Sequence, residues 1–166
     1  QTINILFLLE FLLHFTAFGT SYVKEHKLLI GMEVLCQILQ PINVQKDQIL
    51  IREGKRSPAA FLVIRGELQV EKTLPGKTKR ILVSKVPEGE WIGMVSIIDG
   101  QPATATITAL TEGHVLAMDR ANFEQLQAQD SATSMRFIRS ILACMAQQLL
   151  RVNQHLIELR SVTEET

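Results

Sequence analysis

Only two cysteines occur in the 166 residues, Cys36 and Cys144, far apart and without C-x-x-C spacing. That excludes a disulfide framework and a cysteine metal clip. The pair reads as reduced thiols, and a cytoplasmic location is expected. Net charge is absent as well. Lysine plus arginine total 17 against 17 for aspartate plus glutamate, so no global field draws the molecule to nucleic acid or to an anionic membrane. Any partner must be recognised locally. Also missing are Gly-rich phosphate loops, an H-E-x-x-H helix, a G-x-S-x-G elbow and a close Cys and His pair. His14, His26, His114 and His155 are scattered one to a segment. Neither an enzyme nor a metal or other cofactor is expected. A membrane span is missing too: the longest apolar run, "INILFLLEFLLHFTAF", holds roughly sixteen residues where about twenty are needed, and it carries Glu10 and His14. With no basic flank and no small-residue cleavage site, it does not read as a secretory signal.

The length suits one domain with a real core. Because the chain starts at Gln1 rather than Met, a piece of a longer protein is one reading. Phe7, Phe11, Phe15 and Phe18 recur at helical spacing and predict an aromatic stripe on a core helix. The same helix could instead dock on a second chain or lie against a membrane. Ser21 is a candidate cap for a second helical segment that Pro41 would stop. Residues 1–40 are therefore expected to form an N-terminal helical segment.

After Pro41 the texture changes to short apolar runs broken by glycine and charge. "QILIRE", "AAFLVIRG", "ELQVEK", "RILVSKV", "ATITAL" and "HVLAMD" are each of strand length and rich in Val, Ile, Leu or Thr. The expected fold class is mainly β with flanking helices, a jelly-roll barrel over residues 41–130. The Pro75-Gly76 pair predicts a tight turn between "ELQVEK" and "RILVSKV", with Lys72, Lys77, Lys79 and Arg80 clustered near its tip as a solvated hairpin end or, alternatively, a docking patch. Asp119 is a candidate cap for a short helix over "RANFEQLQAQ".

Ser131 is a candidate cap for a longer helix reaching about Arg160 within a C-terminal segment, residues 131–166. Met135, Leu142, Leu149 and Leu156 repeat every seven residues, interleaved with Ile138, Met145, Val152 and Leu159. This three-four alternation is a coiled-coil seam, and a parallel homodimer is expected along it. Leu150 and Ile157 fall on another side, which predicts a second apolar face.

The segments "ILIREGK", "FLVIRGELQV", "VPEGEWIGMVSIIDGQPATATITAL" and "VLAMDRANFEQL", in that order before a long helix, resemble the cyclic nucleotide-binding domain of the catabolite activator protein type. The resemblance implies barrel-turning glycines at Gly54 and Gly66 and a phosphate-binding cassette over residues 91–106. The candidate ligand-binding residues of that cassette are Gly93, Met94, Val95, Ser96, Pro102, Ala103, Thr104 and Ala105. In the family a cassette glutamate accepts a bond from the ribose hydroxyl and a cassette arginine pairs with the cyclic phosphate. Met94 stands at the glutamate position and Ala103 at the arginine position.

Each charge-assisted bond is worth about 1.5 to 3 kcal/mol. Losing both costs about 3 to 6 kcal/mol if the terms add, which moves a micromolar site to the millimolar range or beyond. The expectation is a non-enzymatic regulatory or sensor module with a degenerate cassette, unable to hold cyclic AMP or cyclic GMP with useful affinity. Two alternatives stay open. One is a genuine cyclic nucleotide sensor with replacement contacts, drawing on Ser140, Gln147, Gln148 or Asn153. The other is a purely structural module for dimerisation or partner docking. An unknown protein partner or output domain fits each reading. The closing "SVTEET" is too short and too acidic for a DNA-reading motif, so no nucleic acid is expected to bind this segment.

Overall fold

The computed structural model describes residues 38–129 and 131–164. The expected N-terminal helices, with the Phe7, Phe11, Phe15 and Phe18 stripe, lie outside the described residues, as do the side chains of Leu156 and Leu159. The described chain runs β1 (Gln40–Val44), β2 (Ile49–Ile51), β3 (Ala59–Arg65), β4 (Leu68–Thr73), β5 (Arg80–Val86) and β6 (Trp91–Ile92). It continues through helix α1 (Met94–Asp99), β7 (Thr106–Ala109), β8 (Gly113–Asp119), α2 (Arg120–Gln129) and α3 (Ser131–Glu164). Two four-stranded sheets result, in the orders β1-β8-β3-β6 and β2-β7-β4-β5, with every pairing antiparallel. This is the expected mainly β jelly roll with flanking helices.

The central strand β3 reads "AAFLVI" because both of its faces are covered, and continuous apolar runs mark strands of that kind. Ala59, Phe61 and Val63 enter the cluster between the sheets with Ile51, Leu68, Ile107, Val115 and Ala117. The alternate residues Ala60, Leu62 and Ile64 are buried on the opposite face. There α1 packs on β3 and α2 packs on β8. Asp119 caps α2 as its position predicts, accepting the Asn122 N–H at 2.7 Å.

Residue 40 corrects one expectation. The sequence predicts helix up to Gln40 with Pro41 as its stop, yet Gln40 and Pro41 open β1, opposite Ala117 and Leu116. Proline fits here because β1 is an edge strand, where a missing N–H breaks no ladder on the open side. The β4–β5 turn forms as predicted, with Gly76 at φ 72° and Lys77 N–H donating to Leu74 O at 3.0 Å. Proline second and positive-φ glycine third is the pattern of a type II turn. Further along, Val70 faces Ser84 while Glu71 faces Leu82, so Val83 is an extra residue in β5.

Residues 130–166 separate as a second compact unit, and α3 is its helix. Met135, Leu142, Met145, Leu149 and Val152 are exposed, and Ile138 is half-buried. Leu150 and Ile157, the residues of the expected second apolar face, are exposed as well, and Ser134, Phe137 and Ile141 form a buried stripe. Serine and phenylalanine at helical spacing gave a weaker periodic signal than the leucines. No helix of the described residues is long and apolar enough to cross a membrane.

Candidate functional site

The cassette-like segment leaves β6 through Gly93, passes α1, and returns to β7 through residues 100–105. Gly93 adopts φ 76°, and a Cβ there would lie 2.9 Å from Ile51 Cδ1 and 3.0 Å from Ala59 O. The start of the segment is thus pressed against β2 and β3, and glycine alone fits both the φ and the space. Met94 follows and is buried, as is Ser96, whereas Val95 is exposed. The Ser96 hydroxyl donates to Gln101 O at 2.8 Å. Gly100 N–H donates to Ser96 O at 3.1 Å, and Gln101 N–H to Asp99 Oδ1 at 2.9 Å. These bonds close the helix onto its own exit loop.

The loop is then fastened at one residue. Ala103 N–H donates to Lys55 O at 2.8 Å, and Gly54 N–H donates to Ala103 O at 2.8 Å. The Ala103 methyl packs against the apolar cluster between the sheets. Pro102 and Thr104 are exposed and Ala105 is half-buried. Between Gly93 and Thr106 the only ionisable side chain is Asp99.

On the outer face of the β2-β7-β4-β5 sheet lies a second polar feature. Ile107 and Ala109 point into the core, so by the alternation of a strand Thr106 and Thr108 lie on the other face of the sheet, where both are buried under neighbouring side chains. Thr108 Oγ1 donates to Glu71 Oε2 at 3.2 Å, and Thr106 Oγ1 accepts the Glu53 N–H at 3.2 Å. Glu53 Oε2 in turn accepts the Thr73 N–H at 2.9 Å. That bond first, then the Thr73 hydroxyl, Lys72 and Arg80 hold the Glu53 carboxyl below its ordinary value. Arg52, Glu53, Lys55, Thr73, Arg80 and Thr106 line a cavity of about 290 Å³. The sequence places Arg80 at a solvated hairpin tip, but its register opposite Thr73 puts it in this wall. Only the pairing of β2, β7, β4 and β5 brings these residues together. The outward phase of Thr106 was the available sequence signal.

A family model of the cyclic nucleotide-binding domain matches residues 41–130. The chain belongs to that family. The CRP-like cAMP-activated global transcriptional regulator of Mycobacterium tuberculosis is 26% identical over 129 residues, covering 78% of this chain and 55% of the regulator. The cAMP-dependent protein kinase regulatory subunit of Dictyostelium discoideum is 24% identical over 94 residues, 55% of this chain and 29% of the subunit. The chain therefore spans about half or less of these curated relatives. Among solved structures, a cyclic nucleotide-binding domain from Methylobacillus flagellatus superposes with a TM-score of 0.72 at 23% identity, covering 78% of this chain and 72% of that one. The Thermus thermophilus catabolite activator protein gives 0.59 at 17% identity, covering 86% and 62%. These likenesses carry the family's fold. Within residues 93–106 of this member the polar groups are backbone amides, the hydroxyls of Ser96, Thr104 and Thr106, the Gln101 amide and the Asp99 carboxyl.

Proposed function

We propose that this chain is a non-enzymatic regulatory module of the cyclic nucleotide-binding domain family that does not hold cyclic AMP or cyclic GMP with useful affinity. Ala103 carries this reading. It stands where the family resemblance expects the phosphate-pairing arginine, it is half-buried with its methyl against the intersheet core, and both of its backbone polar groups are spent on Gly54 and Lys55. Met94, at the expected glutamate position, is buried. A nucleotide entering here would give up hydration of its phosphate without gaining a charge-assisted partner.

The module is proposed to comprise an N-terminal segment over residues 1–40, the jelly roll over 41–130, and a dimerisation helix within 131–166. The exposed heptad residues Met135, Leu142, Leu149 and Val152 support a parallel homodimer, since an apolar seam of this spacing is stabilised by a matching helix. Isothermal titration of the purified chain with cyclic AMP and with cyclic GMP tests the binding reading. No saturable heat at submillimolar nucleotide is expected, and a low-micromolar dissociation constant for either would sink it.

A further inference from the structure

We propose that the cavity on the outer face of the β2-β7-β4-β5 sheet is a binding site for a small phosphomonoester bearing a hydroxyl group, of the polyol phosphate class. The site is separate from the cassette. Its lining, Arg52, Glu53, Lys55, Thr73, Arg80 and Thr106, borders an open hollow of about 290 Å³, room for a compact ligand.

The lining is built on a fixed frame. Gly54 and Lys55 are clamped to Ala103 by two backbone bonds of 2.8 Å each. Glu53 is held at its N–H by Thr106 and at its carboxylate by Thr73. The turn that presents Arg52 and Lys55 is therefore tied to β4 and β7 rather than free to swing.

The charges on that frame are unevenly matched. Arg80 lies 3.9 Å from Glu71 Oε2, which takes up part of its charge. The ion pairs among the described residues engage neither the Arg52 guanidinium nor the Lys55 ammonium. The three cations of the lining, Arg52, Lys55 and Arg80, outnumber its one carboxylate, Glu53, and that surplus matches a phosphomonoester, which carries close to two negative charges at neutral pH. Arg52 supplies a planar fork for two phosphate oxygens and Lys55 a mobile point charge. Thr106 Oγ1 accepts from Glu53 and keeps its own hydrogen to donate. The Glu53 carboxylate accepts bonds only, so within this cavity it selects for a hydroxyl on the organic part of the ester and against a second anionic group.

Nitrogen-proton correlation spectra of the full chain, titrated with glycerol 3-phosphate, inorganic phosphate and, at matched ionic strength, sodium chloride, test the proposal. Saturable shifts are expected at the amides of Arg52, Glu53, Lys55, Thr73 and Thr106 with both phosphates, tighter for glycerol 3-phosphate, and absent with chloride. The double variant R52A/K55A should weaken the ester at least tenfold while leaving the rest of the spectrum in place. As a second variant, R52K/K55R keeps both charges and should retain binding within a few-fold. Non-saturating shifts, equal shifts with chloride, or unchanged affinity in R52A/K55A would overturn the proposal. So would retention of the protein on vesicles carrying phosphatidate without a saturable response to the soluble ester. Shifts confined to residues 93–105 on adding cyclic AMP would count against the cassette reading and leave this one standing.

Discussion

Thr73 donates its backbone N–H to Glu53 Oε2 at 2.9 Å, joining the end of β4 to the turn that follows β2. This bond holds the carboxyl below the ordinary value of 4.5. A group whose folded pKa is depressed binds protons less readily in the native state than in the unfolded one, so stability rises with pH across that interval. The Glu53 contribution is therefore fully present above about pH 4.5 and is lost as pH falls through the lower native value. Urea midpoints of wild type and E53Q should differ by a constant amount from pH 7 to 5, and the difference should close below that. A difference that grows on acidification would contradict the sign.

On the proposed function, placing a glutamate at Met94 and an arginine at Ala103 should raise affinity for a cyclic nucleotide. The double variant M94E/A103R adds two charge-assisted bonds of about 1.5 to 3 kcal/mol each, so cyclic AMP or cyclic GMP should bind roughly 10² to 10⁴ times more tightly than to wild type. Titration calorimetry reads the gain. Wild type and variant binding alike would show that the cassette is set by something other than these two side chains.

Leu149 is 62% exposed on α3, which is the expected state of a seam residue in a lone chain. In a dimer, L149D leaves an unpaired carboxylate in an apolar seam, a loss of about 3 to 5 kcal/mol. Sedimentation equilibrium should give a dimer for wild type and a monomer for L149D. Identical masses would remove the seam as the contact.

Met118 is fully buried beneath α2 while Leu82 on β5 is 57% exposed. Truncation to alanine should cost about 2 to 5 kcal/mol at Met118 and within about 0.5 kcal/mol at Leu82. Equilibrium denaturation of M118A and L82A measures both.

The sheets were legible because most strands announce themselves: the unbroken "AAFLVI" of a doubly covered strand, the Pro75-Gly76 turn, and the alternating "TITA" of β7. β1 was hidden by Pro41, whose usual meaning as a helix stop concealed its tolerance at a sheet edge. β6, with only Trp91 and Ile92, is too short to show any period. The cassette-like segment over residues 91–106 was suggested by the resemblance to the family and by no period of its own. That Ala103 joins the core and locks Gly54 and Lys55 was not readable, since those bonds connect segments far apart in sequence. The outer cavity was hidden for the same reason, as its wall draws on three separate strands and one turn.

The unmatched Val83 in β5 bears on how the open margin of this sheet would meet a second molecule. β5 closes one margin of its sheet and offers Ile81, Leu82 and Val83 to solvent, a stretch that would otherwise invite a neighbouring molecule to zip on. The inserted residue throws the pleat out of phase halfway along, so an arriving strand can match one half of the margin or the other but not both. A fault in the repeat thus works against edge-to-edge pairing, with lysine at Lys79 and Lys85 discouraging each half-match.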